Sequence, residues 1–483
     1  MTNINEGWIC KVTNGDSLVT TPHVSMATYA RRLRERQLQA VALIDECEMR
    51  FQRYEPQFNA YKTWNGVAAR TQAQAVDVLF DSRMDLGPLM GLPVSVKDLY
   101  GVPGLPVFAG SDCELPSTYE EAGPIVAAVS RQLGVIIGKT HMVEFAFGGL
   151  GINAHWCTPL NPWSSDLARV PGGSSSGAGV SLVQGTALLA LGTDTAGSVR
   201  IPASLTGQVG LKTTYGRWSN SGIVPLSSSL DTPGLLCRTV EDLIYSFSAL
   251  DPALSAKAAP VVELDDLSRL RIGVPDNYFW EQADSSIVAC VEDAIARLAR
   301  AGAKVVRLTL PHCDELYDIL CKGGLAAPEL NAYLQLNFPE KINRLDPVVR
   351  VRVEEADKVS SLEYLRRKAV LQHCGERAAA VFDDVDVLLT PTVAISPPLL
   401  ADIADIAAYG RANMLTLHNT SIVNLLGWCA LSMPVGLDAN RMPVGLQLIA
   451  APMAEPRLLG VAQALEKHLG NGIELLGTAP QLR

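Results

Sequence analysis

Residues 171–204 read PGGSSSGAGVSLVQGTALLALGTDTAGSVRIPAS. Gly, Ser and Thr crowd both ends of an apolar run with the make-up of one buried helix and one strand. Three chemistries place Gly and Ser so densely: a phosphate cradle, the nucleophile elbow of a serine hydrolase, and a hydrolytic site of another design. A phosphate cradle requires G-x-x-x-x-G-K-[ST], because a Lys must reach the phosphates and a hydroxyl the metal. No Lys lies between Thr140 and Lys212. A dinucleotide fingerprint opens a helix after a first strand, with an acid about 20 residues on, and the order of elements here does not suit it.

The elbow fits by pattern alone. Gly173–Gly177, GSSSG, satisfies G-x-S-x-G with Ser175 at its centre. That motif needs a strand immediately before it, however, and SSDLARVPG (164–172) reads as a loop. It also needs a downstream Asp and then a His; His312, His373, His418 and His468 follow, and none is singled out by its neighbours.

The third answer draws on a distant segment, GLPVSVKDLYGVPG (91–104), in which Lys97 is flanked by Val94, Val96, Leu99 and Tyr100. A lysine at a strand end usually snorkels to water. A buried one loses its charge and becomes available as a general base, and a serine beside a neutral lysine can be deprotonated without histidine.

These segments together resemble the amidase signature family. GGSSSGAGVSLVQGTALLALGTDTAGSVRIPAS (172–204) is similar to that family's signature, and GLPVSVKD (91–98) to its lysine motif. GLKTTYGR (210–217), IVPLSSSLDTPG (223–234), DVLLTPT (386–392) and MPVGLQLIA (442–450) resemble further family blocks in the family's order. The resemblance implies a Ser–cis-Ser–Lys triad. Ser198 would be the nucleophile and Ser174, 24 residues earlier, the bridging serine with a cis bond before it. Lys97 would be the base, and the backbone N–H groups of Thr195, Ala196, Gly197 and Ser198 the oxyanion hole. Ser175, Asp194 and Arg200 are expected to support the site. Asp194 and Arg200 would lock the oxyanion loop, against the plainer reading of a partly exposed ion pair worth little. The loop EFAFGGLG (144–151) implies an acyl pocket lined by Phe145, Ala146, Phe147, Gly148 and Gly149, although a Phe at such spacing also reads as core. Two positions depart from the family pattern. Ala196 stands where glycine is common and would be strained if φ were positive there; Thr213 replaces a usual proline.

The rest of the chain fits an α/β protein. Residues 25–54 and 65–83 show apolar positions at helical spacing. The segment 123–134 reads as a helix and 135–140 as a strand. The run 270–311 reads strand, helix, strand, with Gly302 ending the helix. Paired strands follow at 430–437 and 442–450, and a helix at 455–469. Alternating elements imply a central twisted mixed β-sheet sandwiched by α-helices. We expect a single domain over 1–483, with a helical segment at 25–83, the signature core at 84–250, a linker or surface excursion at 251–269, and a variable helical segment at 310–380 that selects substrate.

Composition narrows the partners. The 483 residues carry a net charge of −10 and no Lys/Arg stripe, which disfavours nucleic acid and anionic membranes. The start, MTNINEGWICKVTNG, lacks the charged and apolar regions of a secretory signal. No apolar run reaches the ~18 residues of a membrane helix. The ten Cys include no CxxC pair, and the seven His occur singly, so neither a disulfide framework nor a metal site is expected. The expectation is a cytoplasmic amidase without cofactor, acting on a small-molecule amide, with a homodimer suggested by base rates. The family resemblance also leaves room for a glutaminase subunit of an amidotransferase, which would deliver ammonia to a partner chain. The end of the chain soon after the common blocks is expected to leave no room for a further large domain.

Overall fold

The computed structural model describes residues 24–165, 168–253, 264 and 266–483. The chain start, expected to carry no secretory leader, and residues 254–263 and 265 of the expected linker lie outside them. Among the described residues eleven strands form one sheet: β1 (Tyr61–Trp64), β2 (Pro93–Lys97), β3 (Val135–Thr140), β4 (Leu189–Asp194), β5 (Val209–Lys212), β6 (Thr232–Cys237), β7 (Arg271–Pro275), β8 (Lys304–Leu308), β9 (Val387–Pro391), β10 (Cys429–Leu437) and β11 (Pro443–Ala450). Their spatial order is β1-β3-β2-β4-β6-β5-β10-β11-β9-β7-β8. The trios β3-β2-β4 and β9-β7-β8 are parallel, and the strands between them run antiparallel to their neighbours. The sheet is therefore mixed, as the alternation of elements implies.

Helices cover both faces, which is why the strands read as nearly unbroken apolar runs. Side chains alternate between two cores. Leu189, Leu191, Leu431 and Met433 join the large core beneath the helices Met26–Arg34, Ala40–Phe58, Val240–Leu250, Ser285–Arg300 and Glu455–Leu469. Ala190 packs on the other face against the helices Ser176–Gln184 and Arg200–Thr206, and Ala430 and Ile449 pack there against Ile406–Leu425. The stretch 25–54 forms two helices, and Gly302 takes φ +108° just past the helix Ser285–Arg300.

The helices Ala326–Asn337 and Pro347–Ala356, inside the expected variable segment, pack through Leu330, Leu334, Val349 and Val353 onto Phe145, Phe147 and Leu226. They cover the loops at the carboxyl ends of β2 and β4. Because β2 and β4 are parallel, with Val96 opposite Leu191, both strands end on the same edge of the sheet. Ligands of open α/β sheets bind outside such carboxyl ends.

The helix Ser176–Gln184 is drawn hard against the sheet. Gly177 donates its N–H to His141 O, and a Cβ there would lie 2.0 Å from the Ala60 carbonyl oxygen and 2.8 Å from His141 N. Only glycine fits. Gly177→Ala is expected to destabilise the protein by about 1–3 kcal/mol through overpacking, measured as a lower urea midpoint; an unchanged midpoint would contradict this packing.

Candidate active site

Lys97 is the last residue of β2 and is fully buried. Its Nζ lies 2.7 Å from Ser174 Oγ and 2.8 Å from Thr193 Oγ1. Two hydroxyls touch it and, among the described residues, no carboxylate does. Burial pulls its pKa down to about 7, against the fields of Asp231 and Asp194. Two other lysines are as deeply buried and differ in kind. Lys139 sits 3.2 Å from Asp98 Oδ1, and Lys212 donates to the carbonyls of Thr213 and Trp428. Carboxylates and carbonyls only accept hydrogen bonds, so they favour the ammonium, although burial still lowers both lysines, Lys212 to about 8. A hydroxyl can also donate, and so tolerates the neutral amine.

Ser174 follows a cis peptide bond from Gly173. Ser175 is buried, donates its hydroxyl to Thr193 O, and uses its N–H on Ser198 O. It does not reach the cavity described below; Ser198 does.

Beyond β4 the chain turns through Asp194–Ser198, and the Asp194 carboxylate shapes that turn. It accepts N–H bonds from Gly197 at 2.8 Å, Val199 at 3.2 Å and Arg200 at 3.4 Å. It also binds the Arg200 guanidinium at 2.9 and 3.0 Å and Asn424 Nδ2 at 2.8 Å. Burial alone would raise this carboxyl, but the Arg200 guanidinium and the bonds around it hold it well below the usual range. The pair is completely buried, not the partly exposed bridge of the plainer reading. Arg200 continues to Gln447 and Asn424, both at 2.5 Å.

This turn corrects one expectation. The Gly197 N–H is spent on Asp194, so it is not a free donor. The amides of Thr195, Ala196 and Ser198 have no protein acceptor among the described residues. Glycine at 197 has a different reason: its φ is +131°, and a Cβ would come 2.1 Å from Thr420 Oγ1. Ala196 is not among the residues with positive φ, so alanine is unstrained there.

Thr193, Asp231, Asn413, Thr420 and Asn424 complete the surroundings and were not singled out by the sequence. Asp231, the residue before β6, accepts the Thr195 hydroxyl at 2.6 Å and the N–H groups of Leu226 and Ser227 at 2.9 Å each. Burial lifts its carboxyl to about 6. It lies within IVPLSSSLDTPG, so a signal was present. Asn413, Thr420 and Asn424 share one face of the helix Ile406–Leu425, at i, i+7 and i+11. They bind Gly149 N, Ala196 O and Asp194 respectively.

Ser198, Thr195 and Ala196 open on a cavity of about 470 Å³. Of the expected acyl-pocket residues, Ala146, Phe147 and Gly148 line it. Phe145 and Gly149 do not. Phe145 is fully buried in the core with Leu330 and Leu334, and Gly149 packs against Leu417 with its N–H held by Asn413. Phe145 and Ala146 both adopt left-handed backbone conformations, at φ 44° and 59°, of the kind that concentrate at functional loops. The opposite wall comes from residues within 320–327 and 352–367, inside the segment expected to be variable. Among the described residues one group of potential metal ligands converges, His312, Glu315 and Cys374, and none of them lines this cavity. No helix among the described residues is long and apolar enough to cross a membrane.

Comparison with known proteins agrees with this architecture. The Amidase family model matches residues 42–459. The chain is 66% identical over 460 residues to a 2-amino-5-chloromuconic acid deaminase of Comamonas testosteroni, covering 95% of this chain and 99% of that protein. It is 30% identical over 472 residues to a glutamyl-tRNA(Gln) amidotransferase subunit of Koribacter versatilis, covering 90% and 96%. A crystal structure of an amidase superposes with a TM-score of 0.81 at 28% identity, covering 92% of this chain and all of that one. With its mixed sheet, its Gly/Ser turns and a family match across most of its length, this chain belongs to the amidase family and is a hydrolase of carbon–nitrogen bonds.

Proposed function

We propose that Ser198 is the nucleophile, Ser174 the proton bridge and Lys97 the general base of an acyl-enzyme hydrolysis. The observation that carries this is the Lys97 amine held between two hydroxyls at the floor of the loop that presents Ser198 to the cavity. As Ser198 Oγ adds to the substrate carbon, its proton passes to Ser174 Oγ, and the Ser174 proton passes to Lys97 Nζ. The carbonyl oxygen becomes an oxyanion facing the free amides of Thr195, Ala196 and Ser198, where each well-placed donor is worth about 3 kcal/mol. The proton then returns through Ser174 to the nitrogen, which leaves as ammonia or amine. Water hydrolyses the acyl-enzyme by the same relay.

The deaminase relative, whose substrate is named as an amino-substituted dicarboxylic acid, supports a finer reading of the substrate. At an amide carbon, loss of ammonia leaves the Ser198 ester that water cleaves. At the carbon of the imine tautomer of such an enamine, Ser198 adds to give a carbinolamine ether, ammonia leaves with the returned proton, and water adds at that carbon and displaces Ser198 to leave the ketone. In each case water supplies the oxygen and ammonia departs. We therefore read this chain as releasing ammonia from a small carboxylated substrate in the cytoplasm. A glutaminase component of an amidotransferase would instead purify with a second chain.

A fluorophosphonate probe tests the site without knowing the substrate. The adduct is expected on Ser198 by peptide mass spectrometry, and Lys97→Ala is expected to slow labelling about 100-fold or more. Labelling at Ser175 with no dependence on Lys97 would overturn the assignment. The relay needs neutral Lys97, and with a pKa of about 7 the amine is protonated below that pH. The labelling rate should therefore climb about tenfold per pH unit below 7 and level off above it; a flat profile between about pH 5.5 and 8.5 would contradict the base role.

A further inference from the structure

Four cationic side chains line the cavity, and three are already paired within their own segments. Lys322 meets Asp318 at 2.6 Å, Lys358 meets Glu355 at 2.6 Å, and Arg367 meets Glu363 at 2.9 Å while holding the carbonyls of Lys322 and Gly324. Arg352 is the exception: among the described residues it has no ion pair, and the Asp346 carboxylate reaches it only as a longer-range field. It is half-buried on the helix Pro347–Ala356 and stacks 3.9 Å above the Phe147 ring. Its guanidinium donates to the carbonyls of Val348 and Phe147, with the Tyr409 hydroxyl beside it, which leaves donors over from its five N–H groups.

The neighbouring acids are committed elsewhere. Asp346 accepts backbone N–H bonds from Val348 and Ala154, and Glu355 belongs to Lys358. A desolvated cation with no carboxylate in contact is costly unless a ligand supplies one. A planar fork of donors is the geometry that reads a carboxylate.

We propose that Arg352 is the carboxylate-recognising residue of this cavity and makes the enzyme selective for anionic substrates. This rests on the cavity being the substrate site of Ser198. It also assigns a task to the variable segment: its helix brings the charge, while the Phe145–Gly149 loop, through Phe147, fixes the plane of the guanidinium. A neutral amide of the same shape would leave Arg352 uncompensated and bind worse.

Calorimetric titration with cis,cis-muconate and with its neutral dimethyl ester separates these possibilities. Wild type is expected to bind muconate and to bind the ester more weakly. Arg352→Gln should weaken muconate binding about 10- to 100-fold, the range of charge-assisted hydrogen bonds, with the ester little changed. Arg352→Lys, which keeps the charge and loses the fork, should fall between. Failure of wild type to bind muconate, or equal muconate affinity in wild type and both variants, overturns the proposal. Fluorophosphonate labelling of wild type reads the other assignment separately: absence of a Ser198 adduct defeats the acyl-enzyme reading, while the titration still decides Arg352.

Discussion

The structure turns on a lysine amine buried without a carboxylate in contact. Two acids, Asp194 and Asp231, lie close enough for Lys97 to feel their fields, and either in direct contact would keep it protonated. Neither is available. Asp194 is consumed by Arg200, Asn424 and three backbone N–H groups, and Asp231 by Thr195 and the 226–227 amides. Lys97 is left with hydroxyls. Burial lowers Lys139 and Lys212 as well, Lys212 to about 8, but Lys139 faces Asp98 and Lys212 two backbone carbonyls, and neither holds a serine hydroxyl through which a proton could be relayed.

The same bonds also shape the loop that carries Ser198. By drawing the Gly197, Val199 and Arg200 amides inward, Asp194 turns the chain so that the neighbouring amides have no protein partner and their residues face the cavity. The helix Ile406–Leu425 holds this turn from outside through Thr420 and Asn424, and holds the facing Gly148–Gly149 strip through Asn413. Both loops are thus anchored on one rigid element. Precise siting of reactive groups depends on this kind of support.

What could be read from the sequence followed from how local each feature is. The Gly/Ser turns, Lys97 and the mixed α/β sheet are written in short contiguous motifs and in strand and helix periodicity. The helix Ile406–Leu425 is different: it is buried over much of its surface and carries Asn and Thr among apolar residues, so no amphipathic stripe announces it. Phe145 and Phe147 were both expected at the cavity because a loop motif does not say which of its aromatics turns inward; with left-handed backbone at 145 and 146, Phe147 lines the cavity and Phe145 lies in the core. Gly197 was expected to donate an amide because its motif does not show that Asp194 folds back on it. Arg352 was covered only by the position of a variable segment, since its lack of a carboxylate partner is a property of three-dimensional packing.

The most direct test is the titration of Lys97 itself. With lysines labelled at Cε and the resonance assigned through Lys97→Arg, its chemical shift can be followed against pH. A midpoint near 7 and a neutral amine at pH 8 are expected. A midpoint near 10, the value of a solvated lysine, would mean that the buried group keeps its proton and cannot accept one from Ser174.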